Sequence, residues 1–172
     1  MKLIALLAIF ALPFTQSKPD QKILLLDGKV QLLVPKELPK ITDQMWNTKY
    51  PGKAKPLLGL SDENGEINLI ADMTDQPVTE SQMGAFKDFQ LQQIKQRRHD
   101  AEFLEDGIKT INGKKVSYFK FLSKAIDQKV FNYFFFVNVH GKVLLFTFNC
   151  IEKLRKDWEK TADDIVSTLK VN

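Results

Sequence analysis

The chain has 172 residues, enough for one domain, and 44% of them are hydrophobic, so it can bury a real core. Its 25 basic and 21 acidic residues leave a mild net charge of +4 spread along the chain, which argues against a nucleic-acid face. A single cysteine excludes a disulfide framework and a zinc ribbon, which needs several thiolates.

Met1 and Lys2 make a short positive start, and residues 3–14 form an unbroken apolar run of 12. Spanning a bilayer takes about 20 residues. The run therefore reads as the core of a secretory signal, with Thr15 and Ser17 as the small residues before cleavage. The expected organisation is a signal peptide at 1–17 and one domain at 18–172, exported to the periplasm or beyond the cell. No cysteine lies near the apolar run to carry a lipid anchor, and no later segment is apolar for long enough to span a membrane.

Four turn dipeptides punctuate the rest: Asp27-Gly28, Asn64-Gly65, Asn112-Gly113 and His140-Gly141. Each suits a type I′ turn, which needs positive φ at both central residues, so four antiparallel hairpins are expected. The first pairs 23–26 with 30–34. Residues 35–56 then hold four prolines and predict a short helix over 41–50, with Ile41, Met45 and Trp46 inward. The second hairpin pairs 57–60 with 67–73.

Thr79 and Gln82 have the spacing of a capping box and open a helix. Met83, Phe86, Phe89 and Ile94 form its apolar arc, and Lys87 lies outside it. The helix is expected to end near Arg98-His99-Asp100. The third hairpin pairs 103–111 with 115–123, with a bulge expected at Asp106-Gly107.

The fourth pairs 130–139 with 143–148. Its first strand carries Phe131, Tyr133, Phe135, Val137 and Val139 on one face and Phe134 and Phe136 on the other. A strand apolar on both faces is covered on both sides, so helices must pack on each face. The last helix covers about 151–169, with Leu154, Trp158, Ile165 and Leu169 as its stripe and Asn149 with Glu152 as a second capping box. The fold class is α+β: an α-β-α sandwich whose central, mainly antiparallel sheet is built from hairpins and flanked by helices.

The chemistry-bearing residues are few. His99 sits at a helix end, where a cation suits the macrodipole, and His140 at a turn tip. Cys150 is unpaired and reads as a buried residue. No nucleophile elbow, phosphate loop, dinucleotide fingerprint or zinc-protease motif occurs. The carboxylates Asp62, Glu63 and Glu66 surround a turn and read as a solvated hairpin; Asp157, Asp163 and Asp164 read as the polar face of the last helix. Neither a metal nor a cofactor is assigned. Arg97 and Arg98, beside Lys95, form the densest basic cluster.

The layout resembles a known superfamily. The residues that carry the likeness are Val34-Pro35 closing the first hairpin, Lys49-Tyr50-Pro51 and Pro56, Ile111-Asn112-Gly113-Lys114, Gly141-Lys142 before an apolar strand, and Trp158, Ile165, Ser167 and Leu169 in the last helix. This resembles the superfamily of the photosystem II extrinsic protein PsbP and the nuclear import factor Mog, and is most similar to exported, DcrB-like bacterial members. The resemblance implies an α-β-α sandwich and an accessory domain that docks onto protein partners; it carries over no catalytic residues. The resulting expectation is a non-enzymatic domain of the cell envelope whose partner is a protein and not a nucleic acid. Trp46 and Tyr50 are its contact residues, because Trp and Tyr dominate interface hot spots, and Arg97 and Arg98 form a second contact. The alternatives are an envelope factor binding a small ligand or cation, and a hydrolase built on Cys150 or His99.

Overall fold

The computed structural model describes residues 20–172, so the expected signal peptide and its cleavage site lie outside the described residues. The elements run β1 (Asp20–Leu25), β2 (Val30–Pro35), α1 (Asp43–Lys49), β3 (Leu58–Ser61), β4 (Ile67–Pro77), α2 (Met83–Arg97), β5 (Glu102–Ile111), β6 (Lys114–Lys124), β7 (Lys129–Val139), β8 (Lys142–Ile151), α3 (Arg155–Ser167) and β9 (Lys170–Val171). Three hairpins build a six-stranded antiparallel sheet in the order β3-β4-β8-β7-β6-β5. The α+β class and the central antiparallel sheet are as expected. The first hairpin, however, stands outside that sheet. It forms a separate three-stranded sheet, β1-β2-β9, closed by the C-terminus.

The six-stranded sheet is covered on both faces. On one, Phe131, Tyr133, Phe135 and Val137 of β7 and Phe146 and Phe148 of β8 pack with Trp158, Ala162, Ile165 and Val166 of α3 and with Val30, Leu32 and Val34 of the small sheet. Phe135 and Phe146 stack with centroids 4.6 Å apart. On the other face, Phe119, Phe121, Phe136 and Val143 meet Met83, Phe86 and Leu91 of α2. Each fully buried Phe contributes roughly 1.5–3 kcal/mol over leaving it exposed, so these two layers dominate the stability.

The turns follow backbone sterics closely. Asn112-Gly113 and His140-Gly141 both have the paired positive φ that a tight antiparallel connection needs. At the other two turns the register differs from expectation. In the first hairpin Asp27-Gly28 has the expected positive φ at both residues, but Leu26 before it does too, and the connection spans 26–29 with the Gly28 amide donating to Leu25 O. At Asn64-Gly65 only Gly65 has positive φ, because the Asp62 carboxylate accepts from the Ile67 amide and holds a wider turn. The bulge in β5 falls between Phe103 and Glu105, not at Asp106-Gly107. Gly107 instead makes room for the Tyr118 ring, which a Cβ there would meet at 3.2 Å.

The capping box at Thr79 forms, with Gln82 Oε1 accepting from the Thr79 amide at 3.0 Å. The second does not: Asn149 lies within β8, and its side chain accepts from Asn68 on the neighbouring strand. Along α2, Phe89 is 53% exposed whereas Lys87 is buried. Lys87 is drawn in by Asp106 on β5 and Asp88 beside it, a pairing across sequence that helical periodicity does not register.

Trp158 stacks on Phe148 with only 7% of its surface exposed. Trp158→Ala is expected to lose about 3–5 kcal/mol of unfolding free energy in chemical denaturation; a loss below about 1 kcal/mol would place the ring outside the core.

Candidate functional site

The Pro-interrupted segment 35–56 and α1 are fixed on the β3 edge. The Ile41 amide donates to Gly59 O and the Ser61 amide to Pro39 O, so residues 39–41 cover what would be an open strand edge. Thr42 then caps α1 by accepting from the Met45 amide. Trp46 faces inward, packs on Tyr50 in a tilted pair with centroids 4.4 Å apart and donates its indole N–H to Lys53 O. The ring is buried, and Tyr50 is half-buried, which pushes its hydroxyl up from the ordinary value. Both rings thus hold the loop to the domain. Trp46 also forms one wall of a cleft of about 210 Å³, together with Ile41, Pro56, Leu57 and Gly59. Lys40 and the Asp43–Lys55 ion pair stand around it.

The basic pair lies elsewhere. Arg98 caps the end of α2 and grips Asp100 through two hydrogen bonds of 2.9 and 2.7 Å. It also donates to Lys124 O at the end of β6. The Arg98 guanidinium, with the Lys124 amide, holds the Asp100 carboxyl well below the usual carboxylate range. Arg97 is exposed and donates to Gln93 of its own helix. Trp46 and Tyr50 sit by β3, one edge of the large sheet, and Arg98 reaches β6 near the opposite edge, so the structure does not bring the two expected contacts together.

Cys150 is fully buried among the aromatics of the larger core. Burial, with the charge of Glu159 second, pushes its thiol up to about 12, so little thiolate exists at neutral pH. His99 and His140 are exposed, the first just past α2 and the second in the β7–β8 turn. Among the described residues, no three His, Cys, Asp or Glu side chains are placed to hold a metal ion.

The sequence reading missed the most heavily engaged polar group. Lys120 is 3% exposed on β6. Its ammonium meets Asp163 at 3.0 Å, Glu105 at 3.2 Å and Glu159 at 3.4 Å, and lies over the Tyr133 ring. Tyr118 donates to Glu105 at 2.6 Å, Lys109 approaches Asp163, and Arg155 approaches Glu159. Asp163 and Glu159 therefore anchor α3 to β6 and are not merely a solvated face. Burial disfavours the Lys120 charge, but Asp163 and Glu105 outweigh it, and its pKa is raised. Glu105 is lowered, chiefly by the Tyr118 hydroxyl. Only the alternation Phe119-Lys120-Phe121 in a strand apolar on both faces could have signalled this.

No protein-family model matches the chain, and no curated protein matches it. Solved structures do. A cyanobacterial PsbP (CyanoP) from Synechocystis sp. PCC 6803 superposes with a TM-score of 0.62 at 11% identity, covering 95% of this chain and 99% of that one. LpqN of Mycobacterium tuberculosis, described as involved in cell envelope biogenesis, gives 0.60 at 11% identity over 90% and 91%. PA94 of Pseudomonas aeruginosa, of unknown function and described as a putative regulator, gives 0.52 at 11% identity over 87% and 94%. The chain has the PsbP-like/Mog-like fold, with bacterial proteins, one of them involved in cell envelope biogenesis, among its structural neighbours.

Two outcomes follow from Cys150 and Glu105. Native Cys150 is expected to react with a disulfide reagent at pH 8 at least 100-fold more slowly than in denaturant; equal rates would place the thiol at the surface. Because Glu105 is depressed in the folded state, its contribution is present above its unfolded pKa of 4.5 and is lost as pH falls below that value. The melting temperature is therefore expected to fall more steeply below pH 4.5 in the wild type than in Glu105→Gln, and parallel profiles would remove Glu105 from the network.

Proposed function

We propose that this chain is an exported, non-enzymatic accessory domain of the cell envelope that docks onto a protein partner. The observation that carries this reading is the cleft beside Trp46. Its wall is apolar, its rim is charged, and Leu57 at its mouth is 41% exposed. An apolar wall held rigid by its own loop, with a polar rim around it, is the arrangement that interfaces favour. The fold, found also in a protein involved in envelope biogenesis, and the chain's apolar start with small residues at 15 and 17 support the location. Among the described residues no helix is long and apolar enough to cross a membrane.

The chemistry-bearing side chains agree with a binding role. The thiol is sealed, and the buried ammoniums of Lys87 and Lys120 are neutralised within the fold. Arg98 is spent on Asp100, which leaves Arg97 as the exposed member of the second contact.

A photocrosslinker at position 57 is expected to give one discrete adduct in the envelope fraction, and one at the exposed Ile126 none. Leu57→Glu should reduce capture at least tenfold without changing the melting temperature, and the recovered chain should begin at Lys18. Matching adducts at 57 and 126 would overturn the docking surface; intact Met1 in the cytosol would overturn export.

A further inference from the structure

A second cleft, of about 350 Å³, lies away from Trp46, between the small sheet and the end of α3. That volume falls at the lower end of ligand sites, roughly 300–1,000 Å³. Lys22 of β1 stands opposite Leu33 of β2, and Gln31 of β2 lies between Leu24 of β1 and Lys170 of β9. Together these side chains form the outer face of the small sheet. Thr168 supplies the far wall, and its Oγ1 accepts from the Leu33 amide.

The cleft is cationic and partly apolar. Lys22 and Lys170 line it, no acidic residue does, and neither lysine has an ion-pair partner among the described residues. Lys55, Lys87, Lys109, Lys120, Lys129, Lys153 and Lys160, by contrast, all face carboxylates. Leu24 is 58% and Leu33 38% exposed beside them. The walls are set before any ligand arrives. Thr168 Oγ1 donates to Ile165 O, Ser167 Oγ to Asp164 O, and Asn112 Nδ2 to Leu169 O. The first two of these bonds engage carbonyls in the last turn of α3, groups that belong to the helix's negative end.

We propose that this cleft binds a single-chain amphipathic carboxylate, its head between Lys22 and Lys170 and its hydrocarbon tail over Leu33 and Leu24. Two compact ammonium charges suit an anionic head. Two half-exposed leucines that would otherwise face water suit a chain of methylenes, each contributing roughly 0.8 kcal/mol when buried. The proposal is independent of docking at the Trp46 cleft.

The test uses protein recovered from its producing cells and sodium laurate below its micellar concentration, followed by calorimetry and amide chemical shifts. Saturable binding of one laurate per chain is expected, with shifts confined to Gln31–Leu33, Asn112 and the residues from Ser167 to Lys170. Lys22→Gln/Lys170→Gln should weaken it at least tenfold, Leu33→Asn likewise, and 1-dodecanol should bind at least tenfold more weakly than laurate. All these side chains are at least partly exposed, and unchanged melting temperatures would verify folding. Absence of saturable binding, shifts elsewhere, an unaffected double-lysine variant or equal binding of dodecanol would each overturn the proposal. Binding to phosphatidylglycerol vesicles without binding of laurate would also overturn it, in favour of a membrane surface.

Discussion

Lys120 lies between Phe119 and Phe121, and that alternation fixes the central sheet. A strand with one wet face has its register set by which residues must stay dry. β6 and β7 have little wet face, since α2 covers one side and α3 with the small sheet covers the other. A slip of one residue would leave many apolar contacts possible, but it would carry Lys120 into the phenylalanines under α2 and break its contacts with Asp163, Glu105 and Glu159. Breaking a buried pair on one side typically costs about 3–5 kcal/mol, although the intact pair adds little over an apolar substitute. The network therefore acts as a register marker more than as a source of net stability. Because two of its carboxylates belong to α3, the same marker seats that helix.

Much of the architecture was legible because it is local. Asn112-Gly113 and His140-Gly141 have the φ values their residue types favour, and the capping box at Thr79 forms as its spacing requires. The features that escaped the sequence depend on distant partners. Lys87 is buried because Asp106, nineteen positions on, receives it. Asn149 stays in its strand because Asn68 occupies its side chain. The β1–β2 hairpin was visible, but its separation from the large sheet depends on β9 at the other end of the chain. No local pattern contains that pairing.

The expected contact residues show the same division. The aromatic pair in the proline-rich loop was visible in the sequence, and Trp46 lines a cleft. The sequence could not show that the indole N–H would be taken by Lys53 O, which makes the ring a wall of the cleft rather than a protruding side chain. Likewise Arg97 and Arg98 are adjacent in sequence yet have separate fates. Arg98 turns back to Asp100 and Lys124, while Arg97 stays on the helix surface.

Charge placement separates scaffold from surface more sharply than charge count. A net charge of +4 says little about binding, since most of the lysines that reach carboxylates serve to join strands and helices. What distinguishes a surface able to attract an anion is a cation left uncompensated where the backbone is already satisfied. Lys22 and Lys170 are 148 positions apart and line one cleft only because β9 closes the small sheet against β2. The C-terminal strand thus does two things with one pairing: it protects the edge of a two-stranded ribbon that would be marginal alone, and it brings a second positive charge to the face that the first hairpin leaves open. A fold whose large sheet is sealed on both sides leaves such peripheral faces, and not its interior, as the places where the chain can meet another molecule.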